Sequence, residues 1–249
     1  MGLRILLAGE SWTIHSIHVK GFDTFTTSTY GEGVRWLREA FEQAGHDFTY
    51  IPGQNVQNAF PTTLEQLKAY DVVIISDIGA NSFLLSDDNF VRSLKTPNRL
   101  KLVHDYVQAG GSLLMIGGYF SFQGIDGKAR YQGTPVEQCL PVLMRNVDDR
   151  VEIPEGAMPV IKMADHPILQ GLNMEWPHVL GYNQFALKEG AECIMSIGDD
   201  PFLCVQSYGA GRSAAFASDC SPHWAPPEFV NWKGYPVFWN NLANWLAGK

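Results

Sequence analysis

The sequence predicts an α/β protein: a doubly wound, mostly parallel sheet with helices on both faces and antiparallel strands at its C-terminal end. Three observations carry this. Short apolar runs rich in Leu, Ile and Val recur through the first half of the chain, as strands buried on both faces require. Stretches with apolar residues at helical spacing separate them, so that residues 3–118 spell β-α-β-α-β-α-β, the pattern of an open sheet with right-handed crossovers. The last third then offers three strand-like runs joined by short turn signals, which is a meander.

The first run, Arg4-Ile5-Leu6-Leu7-Ala8-Gly9, ends in the polar tip Glu10-Ser11-Trp12. From Thr13 to Tyr30 the chain is rich in Thr, His and Gly without clear periodicity, and it reads as a long functional or mobile loop carrying His15 and His18. Val34, Leu37, Phe41 and Ala44 recur at helical spacing and the run stops at Gly45, predicting a helix over 32–44. His46–Ile51 is the second strand. A threonine cap signal precedes a short helix at Phe60–Leu67, and the β-branched run Asp71–Asp77 is a central strand with Asp77 at its tip. Leu100, Val103 and Val107 mark the next helix. It delivers the chain to Leu113-Leu114-Met115-Ile116 and the glycine pair Gly117-Gly118, which presents Tyr119, Ser121 and Gln123 at the carboxyl edge of the sheet, where open α/β sheets bind ligands.

The region of about 119–183 is irregular, with prolines too close for a long helix, short strands near 151 and 159 and a turn at Asp165-His166-Pro167. Glu192–Ile197, Phe202–Ser207 and Arg212–Ala217 form the meander, and the last of them ends at a third polar tip, Ser218-Asp219-Cys220-Ser221-Pro222-His223-Trp224. A closing helix over Pro236–Leu246 puts Phe238, Leu242 and Trp245 on its inner face.

With 249 residues, 45% of them hydrophobic, the chain can bury one sizeable core, so residues 1–249 are expected to form a single domain with the 119–183 excursion packed on its sheet. The formal net charge of −8 and the absence of a Lys/Arg-rich run argue against nucleic acid and anionic lipid as partners. No apolar run approaches a membrane span, and Met1-Gly2-Leu3-Arg4 leads directly into a strand, so the cytoplasm is the expected compartment. The 4 cysteines have no paired or regular spacing, and neither a metal cluster, a disulfide framework nor a cofactor is expected.

Gly9-Glu10-Ser11-Trp12, Lys20-Gly21-Phe22-Asp23, Gly117-Gly118-Tyr119 with Ser121-Phe122-Gln123-Gly124, Asp165-His166-Pro167, and Ser218-Asp219 with Pro222-His223-Trp224 together resemble the class I glutamine amidotransferase-like superfamily. The resemblance is strongest to a branch of uncharacterised bacterial cytoplasmic proteins, and it implies a flavodoxin-like fold over nearly the whole chain. In working amidotransferases the elbow reads Gly-x-Cys-x-Gly-x-Gln; the cysteine attacks the glutamine amide, and a histidine from a His-Pro-Glu stretch activates it. Here Gly117 and Gln123 match, Tyr119 takes the cysteine position and Ser121 the second glycine. Phe216-Ala217-Ser218-Asp219 overlays the histidine stretch with no histidine in register. A phenol with a reference pKa of about 10 is no substitute for a thiolate, so the resemblance implies the frame of a glutaminase without its triad.

Each candidate has a structural reading beside the functional one. His223, just past a strand tip, is the best general base, or else a histidine stacked in the Trp-rich tail. Tyr119 is a ligand contact or general acid, or fills the vacated cysteine pocket. Glu10 and Asp77 are acidic groups directly after buried strands; one such carboxylate commonly caps the next helix, but two facing one cleft are costly without a ligand, metal or cation, and Glu10 with Asp219 is assigned to acid/base work. Ser11, Asp77, Gly118, Ser121 and Gln123 are assigned to ligand binding, with capping and packing as the alternatives for Ser121 and Gln123. Cys220 is the thiol nearest a tip, yet reads as buried and inert. The expected function is binding of a small polar molecule at the carboxyl edge, with hydrolysis or another acid/base reaction if the protein is an enzyme. The alternative is a non-catalytic ligand-sensing or assembly module. The aromatic tail (Trp224, Phe229, Trp232, Tyr235, Phe238, Trp239 and Trp245) suggests a homodimer that uses Trp239 as part of its surface.

Overall fold

Burial on both faces selects the central strands. The computed structural model describes residues 2–172 and 175–249. Its first half runs β1 (Arg4–Gly9), β2 (Ser11–Lys20), β3 (Asp23–Glu32), α1 (Arg35–Gln43), β4 (Asp47–Pro52), α2 (Gly53–Ala59), α3 (Leu64–Leu67), β5 (Val72–Ser76), α4 (Asn81–Leu84), α5 (Asp87–Phe90), α6 (Arg99–Gln108) and β6 (Ser112–Ile116). The second half runs α7 (Pro135–Cys139), β7 (Val142–Met144), β8 (Arg150–Ala157), β9 (Val160–Ile161), β10 (Val179–Asn183), β11 (Phe185–Leu187), β12 (Glu192–Ile197), β13 (Asp200–Tyr208), β14 (Gly211–Phe216), α8 (Pro227–Val230) and α9 (Tyr235–Leu246). Every residue of β5 and β6, and all of β1 beyond Arg4, is buried, as expected of apolar runs at the centre of a parallel sheet.

An 8-stranded sheet has the order β4-β1-β5-β6-β14-β13-β12-β9. Pairing is parallel from β4 through β14 and antiparallel from β14 through β9. Helices α1 and α9 pack together, while α6 packs with α3, α4 and α7, giving the two helical layers of a doubly wound fold. Leu37 and Phe41 of α1, Val103 and Val107 of α6, and Phe238, Trp239 and Leu242 of α9 are the buried stripes that face the sheet. The short helix at Leu64 is set by a capping box: Thr63 accepts from the Gln66 N–H, and the Gln66 side chain accepts from the Thr63 N–H in return.

Three expectations are corrected. The loop expected over 13–30 is a hairpin, β2 paired antiparallel with β3 from Ser11↔Glu32 to Lys20↔Asp23. Its Ile, Val, Thr and aromatic content suits strands, but both of its faces are exposed, so no buried-face alternation is written into it. Gly21, at φ +63, makes the two-residue turn with Phe22, a glycine-first pattern typical of tight hairpins. Second, no helix follows the Gly117-Gly118 turn. The chain continues through bends into a single 3-10 turn at Ile125–Gly127, so Gln123 has no helix to cap. Third, the aromatic tail folds into its own core: Trp224, Phe229, Tyr235, Phe238 and Trp239 are all 2% exposed or less, which removes Trp239 from any surface. The 119–183 excursion pairs β8 with β10 within itself, pairs β7 with β11 just beyond it, and adds β9 to the edge of the main sheet.

Candidate functional site at the strand tips

Neighbouring parallel strands end side by side, so their next residues are forced together. After β1 comes Glu10, after β5 Asp77, after β6 Gly117-Gly118-Tyr119, and after β14 the stretch Ala217–Ser221. Glu10 and Asp77 both adopt left-handed backbone, at φ 48 and φ 43. Such a conformation costs a non-glycine residue about 1–2 kcal/mol and aims the side chain back across the tip. Glu10 is 1% exposed and Asp219 4%.

The Glu10 carboxylate accepts from the Ser76 hydroxyl at one oxygen and from Ser221 Oγ, 3.3 Å away, at the other. Asp219 Oδ1 accepts from Ser221 N–H at 3.0 Å and lies 3.3 Å from Ser221 Oγ, so Ser221 bridges the two acids. Asp219 Oδ2 lies 4.0 Å from Nδ1 of His223, whose side chain is 42% exposed. Asp77 Oδ1 accepts from the Phe120 N–H at 2.8 Å. Gly118 allows that approach: at φ 147, a Cβ there would sit 2.8 Å from Asp77 Oδ1.

Burial and the mutual charge of the three acids control the electrostatics of the cluster. Burial, with the Asp77 charge second, pushes the Glu10 carboxyl up to about 7. Burial followed by the Glu10 and Asp77 charges pushes Asp219 well above the carboxylate range. Asp77 is also raised by burial, against the opposing pull of the Phe120 N–H and His223. Glu10, Asp219 and Cys220 have ligand atoms within 4.8 Å of one another, a spacing that fits a metal ion as well as shared protons. The Cys220 thiol is fully buried, and burial pushes its pKa well up, so it is no ready thiolate.

Tyr119 stands over this cluster. Its ring meets His223 edge-on at 4.3 Å and Trp224 at 5.6 Å, and the Arg150 guanidinium lies 4.6 Å from its centroid. Its hydroxyl donates to Glu152 Oε1 at 2.9 Å, and Trp224 Nε1–H donates to the other Glu152 oxygen at 2.9 Å. Burial and the Glu152 carboxylate raise the phenol above its ordinary value.

Of the residues chosen from the sequence, Glu10, Asp77, Asp219, His223, Tyr119 and Gly118 converge. Ser11, Ser121 and Gln123 lie beside the cluster. Ser11 joins the root of β2 to α2, accepting from the Gly53 N–H at 2.7 Å and donating to Gln54 at 2.9 Å. Ser121 is fully buried, donates to Ile116 O and accepts from the Asp77 N–H at 3.0 Å. The Gln123 N–H donates to Asp149, and its side-chain oxygen accepts from the Gln132 N–H at 3.3 Å. His15 and His18 lie on the hairpin, beside Ser28 and Thr27. His166 caps the turn at Pro167–Leu169, accepting from the Ile168 N–H.

Several supporting residues carry no sequence signal of their own. Asn183 Oδ1 accepts from the Gly118 N–H at 2.9 Å, and its Nδ2 donates to Gly118 O and to Asp149 Oδ1. Asp149, 1% exposed, also accepts the Gln123 and Gly124 N–H groups. These residues, with Arg150 and Glu152, come from the excursion, whose irregular pattern gave no reason to place them at the elbow. Ser76 and Ser221 adjoin predicted tips and were within reach of the same reasoning that selected Glu10 and Asp219.

The sequence profile of a family described as "Putative glutamine amidotransferase" matches residues 4–248. No curated protein matches. Among solved structures, Cytoplasmic Protein STM3548 from Salmonella typhimurium is 45% identical with a TM-score of 0.95, and the match covers 98% of this chain and 99% of that one. Cytoplasmic Protein STM1381 from Salmonella typhimurium LT2 is 47% identical with a TM-score of 0.94 over the same shares. A ThuA-like protein from Bacteroides uniformis, at 12% identity and TM-score 0.54 over 98% of this chain and 91% of that one, shares the fold alone. Among the described residues, no helix is long and apolar enough to cross a membrane.

Proposed function

The chain belongs to the glutamine amidotransferase-like family, and we propose that within it this protein works without glutaminase chemistry, as a cytoplasmic acid/base site for a small polar molecule. The observation that carries the reading is the convergence of Glu10, Asp77 and Asp219 from three strand tips beneath the exposed His223, with Glu10 raised to about 7. Perturbed acids of this kind cluster at functional sites because proton transfer works best near the ambient pH.

Two features argue against amide attack. Tyr119 holds the nucleophile's place. The N–H of the residue after a nucleophile normally helps to hold the oxyanion, and here that N–H, of Phe120, is donated to Asp77.

In this reading His223 is the proton-accepting group nearest solvent, Asp219 orients it, and Glu10 shares protons with Asp219 through Ser221. Tyr119, fixed by Glu152 and Arg150, is the wall. Asp77 and Gly118 shape the floor, and Ser11, Ser121 and Gln123 brace the tips that carry it. A cluster of acids without an internal cation favours a ligand bearing hydrogen-bond donors or positive charge.

A thermal-shift screen of amine- and hydroxyl-bearing metabolites tests this. Binders are expected to raise the melting temperature of the wild type and to lose that effect in Asp219→Asn and His223→Ala. Binders unaffected by both substitutions would place the site elsewhere. Stabilisation by a divalent metal alone, abolished in Glu10→Gln, would replace shared protons with a metal ion. The non-catalytic alternative draws on the tie between Tyr119 and Glu152, which closes the elbow. It predicts binding without turnover of any bound compound.

A further inference from the structure

The hairpin formed by β2 and β3 has no counterpart in the proposed chemistry, and its surface is unusual for a free β-arm. Of its residues, only Ser11, Ser16 and Gly31 are even half-buried. Its large apolar side chains stand in solvent: Trp12 is 40% exposed, Ile14 52%, Ile17 73%, Val19 67%, Phe22 108%, and Phe25 and Tyr30 49% each.

Residues opposite one another in an antiparallel pair share a face. One face therefore carries Trp12, Ile14 and Phe25, and the other Ile17, Val19 and Tyr30, with Phe22 at the turn. Folding the arm back on its own body would cover only one of these faces. Natural edge strands are protected by charges, prolines or bulges. Between Trp12 and Gly31 the only charged residues are Lys20 and Asp23, both at the tip, and there is no proline.

The root of the arm is fixed. Ser11 is bonded to Gly53 and Gln54, and the Gly33 N–H donates to Glu10 O at 2.9 Å. Ten-residue strands at about 3.4 Å per residue give an arm of about 34 Å, beyond the radius of gyration of roughly 18 Å for a compact domain of this length. The arm is long enough to reach well onto a neighbouring body.

We propose that this hairpin is an exchange arm that docks on a second copy of the chain. Aromatic side chains present about 150–250 Å² each, so the exposed parts of Trp12, Phe22, Phe25 and Tyr30 alone offer roughly 400–600 Å². Ile14, Ile17 and Val19 bring the arm close to the ~800 Å² per partner of a stable interface, and a two-fold pair uses two arms. A lipid surface fits less well. The apolar residues run from root to tip instead of gathering at the tip, and the net charge of −8 opposes anionic headgroups. This interface replaces the one the aromatic tail suggested, because Trp239, the ring assigned to that surface, is fully buried.

Sedimentation velocity on the full chain at micromolar concentration provides the test, with Ile17→Asp and Phe25→Asp addressing one face each. Phe90→Asp, at a 74% exposed residue on α5, is the control. The wild type and Phe90→Asp are expected to sediment as a dimer or larger closed assembly. Each arm variant is expected to weaken association by at least ~30-fold, the scale of a lost interface hot spot, and to approach the 27.7 kDa monomer with its melting transition intact. A monomeric wild type, assembly retained in both arm variants, or assembly lost only in Phe90→Asp would overturn the proposal. A monomer that co-sediments with anionic phosphatidylserine vesicles would overturn it in favour of a lipid contact.

Discussion

Glu10→Gln is expected to flatten the dependence of stability on pH between pH 5 and pH 8. In the folded protein the Glu10 carboxyl is raised to about 7 from the ordinary 4.5, chiefly by burial. The folded state therefore binds a proton more tightly than the unfolded state does. Stability is highest below the unfolded value, falls as pH rises through the window from 4.5 to 7, and stays low above it. At 1.36 kcal/mol per unit, the full span corresponds to about 3 kcal/mol, most of which falls between pH 5 and pH 8. For a chain of this size 1 kcal/mol moves the melting temperature by about 2–4 °C, so the wild type should lose roughly 5–10 °C more than Glu10→Gln over that interval. The hydrogen bonds from Ser76 and Ser221 are altered in the variant, but that loss is nearly the same at each pH and drops out of the comparison. Asp219 and Asp77, raised chiefly by burial, titrate in the wild type and the variant alike, so they steepen both curves and largely cancel from the difference. Melting curves by circular dichroism at pH 5, 6, 7 and 8 make the measurement. Parallel wild-type and Glu10→Gln curves would refute the reasoning.

The purified protein should release no ammonia from glutamine above background, and Tyr119→Cys should not restore release, because Asp77 still holds the Phe120 N–H. Robust turnover in Tyr119→Cys would show that the missing thiol is the only barrier. Asn183→Ala removes a fully buried side chain that makes three hydrogen bonds to Gly118 and Asp149, and should destabilise the fold by about 2–4 kcal/mol in urea unfolding; a change under ~0.5 kcal/mol would mean that the Gly117-Gly118 turn holds itself. Tyr119→Phe leaves one Glu152 oxygen without its phenol and should cost about 0.5–1.5 kcal/mol in the same assay.

The sheet was legible because β1, β5 and β6 are continuous apolar runs, and burial on both faces leaves no other use for such a run. The same logic located Glu10, Asp77, Tyr119 and Asp219, since parallel strands with short connections bring their tips to one edge. Chemistry beyond the tips was not legible. Asp149, Glu152 and Asn183 reach the elbow from an excursion in which β8 and β10 pair with each other outside the main sheet, and no periodicity reports such pairing. The hairpin escaped for a related reason. Period-2 alternation records one dry face and one wet face, and β2 and β3 have two wet ones. The tail was misjudged in the opposite sense: a single helix seemed unable to bury so many rings, yet Trp176 from the excursion stacks near Phe229, Trp232 and Phe238 and encloses them.

The central claim, that burial and like charge hold an acid at the β1 tip ready to exchange protons near neutral pH, is tested most directly by carbon-13 NMR titration of the glutamate side-chain carboxyls, with Glu10 assigned by its absence in Glu10→Gln. A titration midpoint near 7 is the predicted result. A Glu10 carboxyl that titrates near the ordinary value of 4.5 would contradict it.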